Sequence, residues 1–180
     1  MIQTICLGHV LREAVTTPYR NLVTRPTGAA VRGRIERTMR DSGCHVALLD
    51  FSEVELLDLS CADEIVAKLL LLSVPDRDRY VVLWGLQEDQ VEAIDHVLNH
   101  HQLAVAAWSA GSPALGVLGA LDPDGRRAFA CVAERGPVDA VTVAEALAWA
   151  EGRALRTLSG LAEQRLVRAR GGSFHPLLVA

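Results

Sequence analysis

The chain has 180 residues, half of them hydrophobic, and a mean hydropathy of +0.21, which excludes a disordered polypeptide and permits a substantial core. Its formal net charge is −4, from 18 Lys and Arg against 22 Asp and Glu, which excludes a strongly basic nucleic-acid binder as the first reading. The charge is uneven: residues 1–120 carry 10 basic against 15 acidic side chains and residues 121–180 carry 8 against 7, so the two parts are expected to meet different partners.

The N-terminal "MIQTICLGHV" lacks the basic flank of a signal peptide, and no apolar run approaches a membrane span. Cys6, Cys44, Cys61 and Cys131 are widely spaced and form no Cys-x-x-Cys, so neither a disulfide framework nor a zinc knuckle is expected. These features imply a reduced, cytoplasmic protein without membrane association.

The first two dozen residues carry weak strand signals and are expected as edge strands. A helix follows, with Val31, Ile35 and Met39 at helical spacing, entered through "TRPTG" and ended near "DSG". Three runs then read as buried strands: "HVALLDF" (45–51), "RYVVLWGL" (79–86) and "LAVAAWS" (103–109). Each is continuously apolar, as a sheet covered on most of its faces requires, and Trp84 and Trp108 are expected in or near the core. Between the strands, Ala62, Ile65, Val66, Leu69 and Leu70 keep helical spacing, as do Val91, Ile94, Val97 and Leu98. Strands alternating with helices imply right-handed crossovers and a partly parallel sheet, hence an α/β class.

"GALDPDG" (119–125) breaks the pattern and is expected as a linker between a domain at 1–118 and another at 126–180. "RRAFACVAERGP" reads as a short helix closed by Gly-Pro. "TVAEALAWAEG" opens with Thr142 and Glu145 in a capping-box arrangement, and Trp149 is expected in that helix, in the core of the smaller domain. "RALRTLSGLAEQ" sets Leu155, Leu158 and Leu161 on one side. "RLVRARGGSFHPLL" reads as two short strands about a Gly-Gly turn. Three helices and a hairpin form the order of a winged helix.

The stretch "VALLDFSEVELLDLSCADEIVAKLL" resembles the STAS fold of sulfate transporters and anti-sigma-factor antagonists, and more closely the small STAS-like family. The matching residues are Asp50, Phe51, Ser52 and Val54 on the strand, then Ser60, Ala62, Asp63 and Glu64 at the helix start. "TRPTGAAVRGRI" is similar to that family's arginine-containing helix start. The resemblance covers residues 1–118 and implies a STAS-like, partly parallel sheet with covering helices. Residues 121–180 are similar to winged-helix domains of bacterial regulators. In anti-sigma-factor antagonists the segment matching 58–61 reads Asp-Ser-Ser-Gly and its second serine is phosphorylated. Here Asp58 and Ser60 keep their places, while Leu59 and Cys61 replace a serine and the glycine.

Two readings of the loop Asp50, Asp58, Ser60, Cys61, Asp63, Glu64 follow. Ser60 precedes an apolar-periodic helix with an acid three residues on, which is the pattern of a helix N-cap. As a switch, a phosphate there would add about −1.5 to −2 charge beside Asp58, Asp63 and Glu64, favouring release of a partner. No histidine adjoins the cluster in sequence to act as a base, although His45 shares a strand with Asp50, and no catalytic residue is assigned. His96 and His100 stand four apart, but a helix C-terminus explains them and no metal or other cofactor is expected. Arg153, Arg156 and Thr157, with Arg168 and Arg170 on the wing, are the candidate DNA contacts.

These expectations converge on a non-enzymatic regulatory protein that acts through a protein partner. The resemblance implies a histidine-kinase-like ATPase or an anti-sigma factor as that partner. The alternative is a DNA-binding regulator whose STAS-like half senses or forms a homo-oligomer. A third option is a small-molecule sensor at the carboxyl ends of the strands near Asp50 and Gly85.

Overall fold

The structure is a computed structural model that describes residues 1–15, 20–72, 79–112 and 114–178. A five-stranded sheet lies at its centre in the order β1 (Ile2–Cys6), β3 (Val46–Asp50), β5 (Tyr80–Leu86), β6 (Ala104–Ser109) and β7 (Gly116–Gly119). The first four strands are parallel and β7 returns antiparallel to β6. Strand order follows chain order, so right-handed crossovers must all pass over the same face. That face carries α1 (Leu7–Ala14), α2 (Arg25–Ser42) and α5 (Glu88–His100). It also carries a helix of three segments: α3 (Leu59–Ala62), a π-helical turn (Asp63–Ala67) and α4 (Lys68–Leu72). Their apolar sides close one core with Ile5, Ala47, Leu49, Val81, Leu83, Val105 and Ala107.

Side chains alternate along a strand, so a sheet covered on one face only would leave Val46, Val82, Ala104 and Ala106 in water. They are buried in a second core instead, against α6 (Pro123–Arg135), α7 (Ala140–Leu147), α8 (Glu151–Glu163) and the hairpin β8 (Arg168–Arg170)–β9 (Ser173–His175). The molecule is a three-layer α/β structure, and the continuous apolar strands are the consequence of its two covered faces.

The segment expected as a linker is a helix start. Asp122 caps α6 by accepting the Gly125 N–H at 2.6 Å, and Pro123 occupies the first helical position. Arg126 ties α6 to β7 through the carbonyls of Val117 (2.6 Å) and Gly119 (2.8 Å). Gly119 has φ +91°, and a Cβ there would lie 2.2 Å from the Leu103 carbonyl oxygen. Glycine is required at that crossing.

Other expectations need correction. The first two dozen residues hold β1 and the two-residue β2 (Asn21–Leu22), but also the helix α1, while residues 16–19 lie outside the described residues. The cap of α7 is Asp139, which accepts the Thr142 N–H at 2.8 Å, so Thr142 lies inside the helix. The buried stripe of α8 is Ala154, Leu158 and Leu161, with Leu155 49% exposed. Trp149 lies between α7 and α8, packed against the second core. Trp84, expected in or near the core, is 38% exposed.

Because the second core is shared with the sheet, its loss should be felt by the whole molecule. Leu158→Ala is expected to cost about 2–5 kcal/mol and to lower one thermal transition seen together by far-UV and near-UV circular dichroism. Two separable transitions would contradict a shared core.

Candidate functional site

The site is built where α2 and α3 begin. A short parallel ladder pairs β2 with β4 (Leu56–Leu57), bringing Thr24 alongside Asp58. Asp58 is the residue that caps α3. One carboxylate oxygen accepts the Cys61 N–H at 2.7 Å and the other accepts the Thr24 N–H at 2.9 Å. Ser60, expected as the cap, is the second residue inside the helix, so its hydroxyl has no capping role. The reason is reach: Asp58 precedes the first helical residue and can turn back onto the third.

Thr24 has φ 72° and ψ 140°, a conformation costing a β-branched residue about 1–3 kcal/mol. Asp58 holds it there from outside the chain turn. The Thr24 carbonyl accepts the Gly28 N–H (3.1 Å) and the Cys61 thiol (3.1 Å), linking both helix starts. Gly28 makes this approach feasible, since a Cβ would lie 2.9 Å from Glu64 Cβ and 3.1 Å from Cys61 Cα. Cys61 is fully buried, and desolvation, followed by the nearby Asp58 carboxylate, pushes its thiol up to about 12. It is not a thiolate nucleophile near neutral pH.

Under this junction lies a buried ion cluster. Glu64 is 3% exposed. It meets Arg25 Nη1 at 3.0 Å, Arg32 Nη2 at 3.4 Å, and Lys68 Nζ. Arg25 Nη1 also donates to Asp63 at 2.7 Å, and the other Asp63 oxygen meets His101 Nε2 at 2.7 Å. Burial disfavours both charged carboxylates. Hydrogen bonds from Lys68 and Arg25 outweigh it at Glu64, and those from Arg25 and His101 do so at Asp63. Both therefore stay below the ordinary carboxylate range and are committed as anions. Arg32 is further held by Glu36 at 2.8 Å, and its Nε is buried without a partner.

Above the cluster opens a cleft of ≈ 380 Å³ lined by Arg25, Leu59, Ser60, Asp63, His96 and His100, among others. His96 and His100 are exposed, while His101 is half-buried. Leu59, in its lining, is 50% exposed, and Leu56 on β4 is 47% exposed. Among the described residues, no group of three or more His, Cys, Asp and Glu could hold a metal ion.

The structure thus gathers Asp58, Ser60, Cys61, Asp63 and Glu64, but Asp50 belongs elsewhere. It ends β3, with one carboxylate oxygen accepting the Ser52 N–H at 2.9 Å. Thr24, Arg32, Lys68 and His101 were not legible as members of the site. Gly28, in the first turn of α2 and unfavourable there relative to alanine by up to about 1 kcal/mol, was the available signal for a close helix crossing. Among the candidate DNA contacts, Arg153 is bound to Asp124 and lies over Trp149. Arg168 lies over Tyr80 and donates to the Leu177 carbonyl. Arg156 and Arg170 are exposed, and Thr157 is half-buried.

No helix among the described residues is long and apolar enough to cross a membrane. Comparison with known protein families, with curated proteins and with solved structures finds no match.

Capping by Asp58 leads to a rank order. Asp58→Ala is expected to cost about 1–2 kcal/mol, and Ser60→Ala to stay within about 0.5 kcal/mol of the parent, both read from denaturant midpoints. Glu64→Gln leaves three cations short of charge and should cost roughly 2–4 kcal/mol, the exposure of Arg25 moderating the loss. The folded-state pKa values of Asp63 and Glu64 are lowered, so their stabilisation is present above the unfolded values near about 4 and lost as pH falls through the folded values. Acid unfolding curves should therefore be shallower in Glu64→Gln than in the parent.

Proposed function

We propose that this protein is a non-enzymatic regulator whose STAS-like half binds a protein partner through the surface Leu56–Ser60. The observation that carries this reading is the pair Leu56 and Leu59, 47% and 50% exposed on a backbone locked by Asp58. Water-exposed leucines on a rigid frame bind at little cost in ordering entropy. The chemistry left beside them fits recognition better than catalysis, because the cysteine is a buried thiol and the acids are held in ion pairs. By family analogy the partner is a histidine-kinase-like ATPase or an anti-sigma factor.

Ser60 gives this surface a switch. It is half-buried in the cleft beside Arg25, His96 and His100. The surrounding acids are less repulsive than their number suggests, since Asp63 and Glu64 are already paired. A phosphate on Ser60, with about −1.5 to −2 charge, would compete with those two carboxylates for Arg25. Its effect would be to disturb the junction beneath Leu59. The winged-helix-like C-terminal segment would add a second interaction surface. The exposed Arg156 and Arg170 support the DNA-binding alternative, whereas Arg153 and Arg168 are occupied within the chain.

Affinity capture from the source cells, quantified by mass spectrometry, tests the reading. Proteins retained by the parent should be lost with Leu59→Arg, kept with Ser60→Ala and reduced several-fold with Ser60→Asp. Equal recovery by the parent and Leu59→Arg would sink it.

A further inference from the structure

Across the carboxyl end of the sheet, Cys6, Asp50, Trp84 and Trp108 are neighbours in register on four successive strands. Alternation places the last three on the face that carries the C-terminal layer, because Val46, Val82 and Ala106 belong to that core. The layer covers those earlier rows and leaves this one open: Trp84 is 38% exposed, and Asp50 and Trp108 are half-buried. The two indoles lie 5.0 Å apart at 56°, in contact and tilted. The Trp108 N–H donates to the Ser112 carbonyl at 3.0 Å, fixing that ring as a wall beside Trp84.

The neighbouring carboxylate is fixed as well. Asp50 Oδ1 accepts the Ser52 N–H, leaving Oδ2 able to accept from a ligand. Gly85, at φ +70° beside a strand irregularity, keeps this arrangement compact. A Cβ there would lie 3.1 Å from Ser52 and 3.2 Å from Asp50 Oδ1. A part-exposed indole with an adjacent carboxylate suits a planar cation, which can stack on one and hydrogen-bond to the other.

The same chain shows this pairing filled elsewhere. The Arg153 guanidinium carbon lies 4.6 Å from the Trp149 ring centroid while Nε and Nη2 reach Asp124 at 2.8 and 2.5 Å. Among the described residues, the arginines found over aromatic rings lie on Trp149 and Tyr80, and none lies on Trp84. We infer that Trp84 and Asp50 form a docking site for an arginine side chain presented by a partner polypeptide. The site lies on the opposite face of the sheet from the helices that carry Leu59 and Ser60, and it does not depend on their role.

Peptide titration tests this on the intact protein. The probes are acetyl-Gly-Gly-Arg-Gly-Gly-amide and its lysine counterpart, followed by the indole N–H resonances, with Trp84 assigned from Trp84→Phe. The arginine peptide should shift the Trp84 and Trp108 signals saturably, and the lysine peptide should bind at least about fivefold more weakly. Asp50→Asn can keep the Ser52 hydrogen bond while removing the charge, and should weaken the arginine peptide by about fivefold or more. No saturable shift, equal response to both peptides, or unchanged affinity in a folded Asp50→Asn would overturn the proposal. The peptide comparison uses the parent protein, so it decides the matter even if a variant fails to fold.

Discussion

A buried carboxylate at position 64 would be untenable alone, and the junction of α2 and α3 is built around satisfying it. Isolated charge in a protein interior costs several kcal/mol, so Glu64 must be met by cations with hydrogen-bonding geometry. Arg25 and Arg32 come from α2 and Lys68 from the next segment of its own helix. The two arginines reach it because α2 crosses closely at Gly28. The close crossing in turn holds Thr24 in a strained conformation that Asp58 stabilises. Remove the charge, and the geometry that presents Leu59 and Ser60 loses its support.

The π-helical turn is part of the same device. In a regular helix, Ala62, Ile65, Val66 and Leu69 share one face and Glu64 falls on the opposite side, towards water. The π turn over Asp63–Ala67 admits an extra residue, and Glu64, Ile65, Val66 and Ala67 are all buried. Asp63 remains at the rim, where it joins Arg25 to His101 at the C-terminal end of α5. Three helices therefore meet through two adjacent acids, directly beneath the cleft.

Much of the architecture was legible because it rests on burial. The three apolar runs lie within one residue of β3, β5 and β6, and Val31, Ile35 and Met39 are the buried stripe of α2. Their two-sided apolarity also implied a second covering layer, supplied here by the C-terminal helices. Reading Gly, Pro and Asp at 119–125 as a linker failed because those residues equally make a crossing glycine and a capped helix start. The helix α1 was missed because no side chain caps it and Gly8 weakens its pattern, although Leu7, Val10 and Leu11 carry helical spacing. Sequence spacing points to Ser60 as the cap, whereas the observed start of the helix gives that role to Asp58. The ion cluster was illegible for a different reason: a π turn takes the residues within it off the 3.6-residue spacing that helical periodicity assumes.

Amide hydrogen exchange in Glu64→Gln tests the central claim most directly. If the buried charge holds the junction, the amides of Thr24, Gly28, Cys61 and Ala62 should exchange faster than the general loss of stability explains. Amides in β3 and β5 should then follow only that general loss. Protection that falls uniformly across the sheet and the junction, or does not change at Thr24 and Cys61, would show that Glu64 does not hold this surface in place.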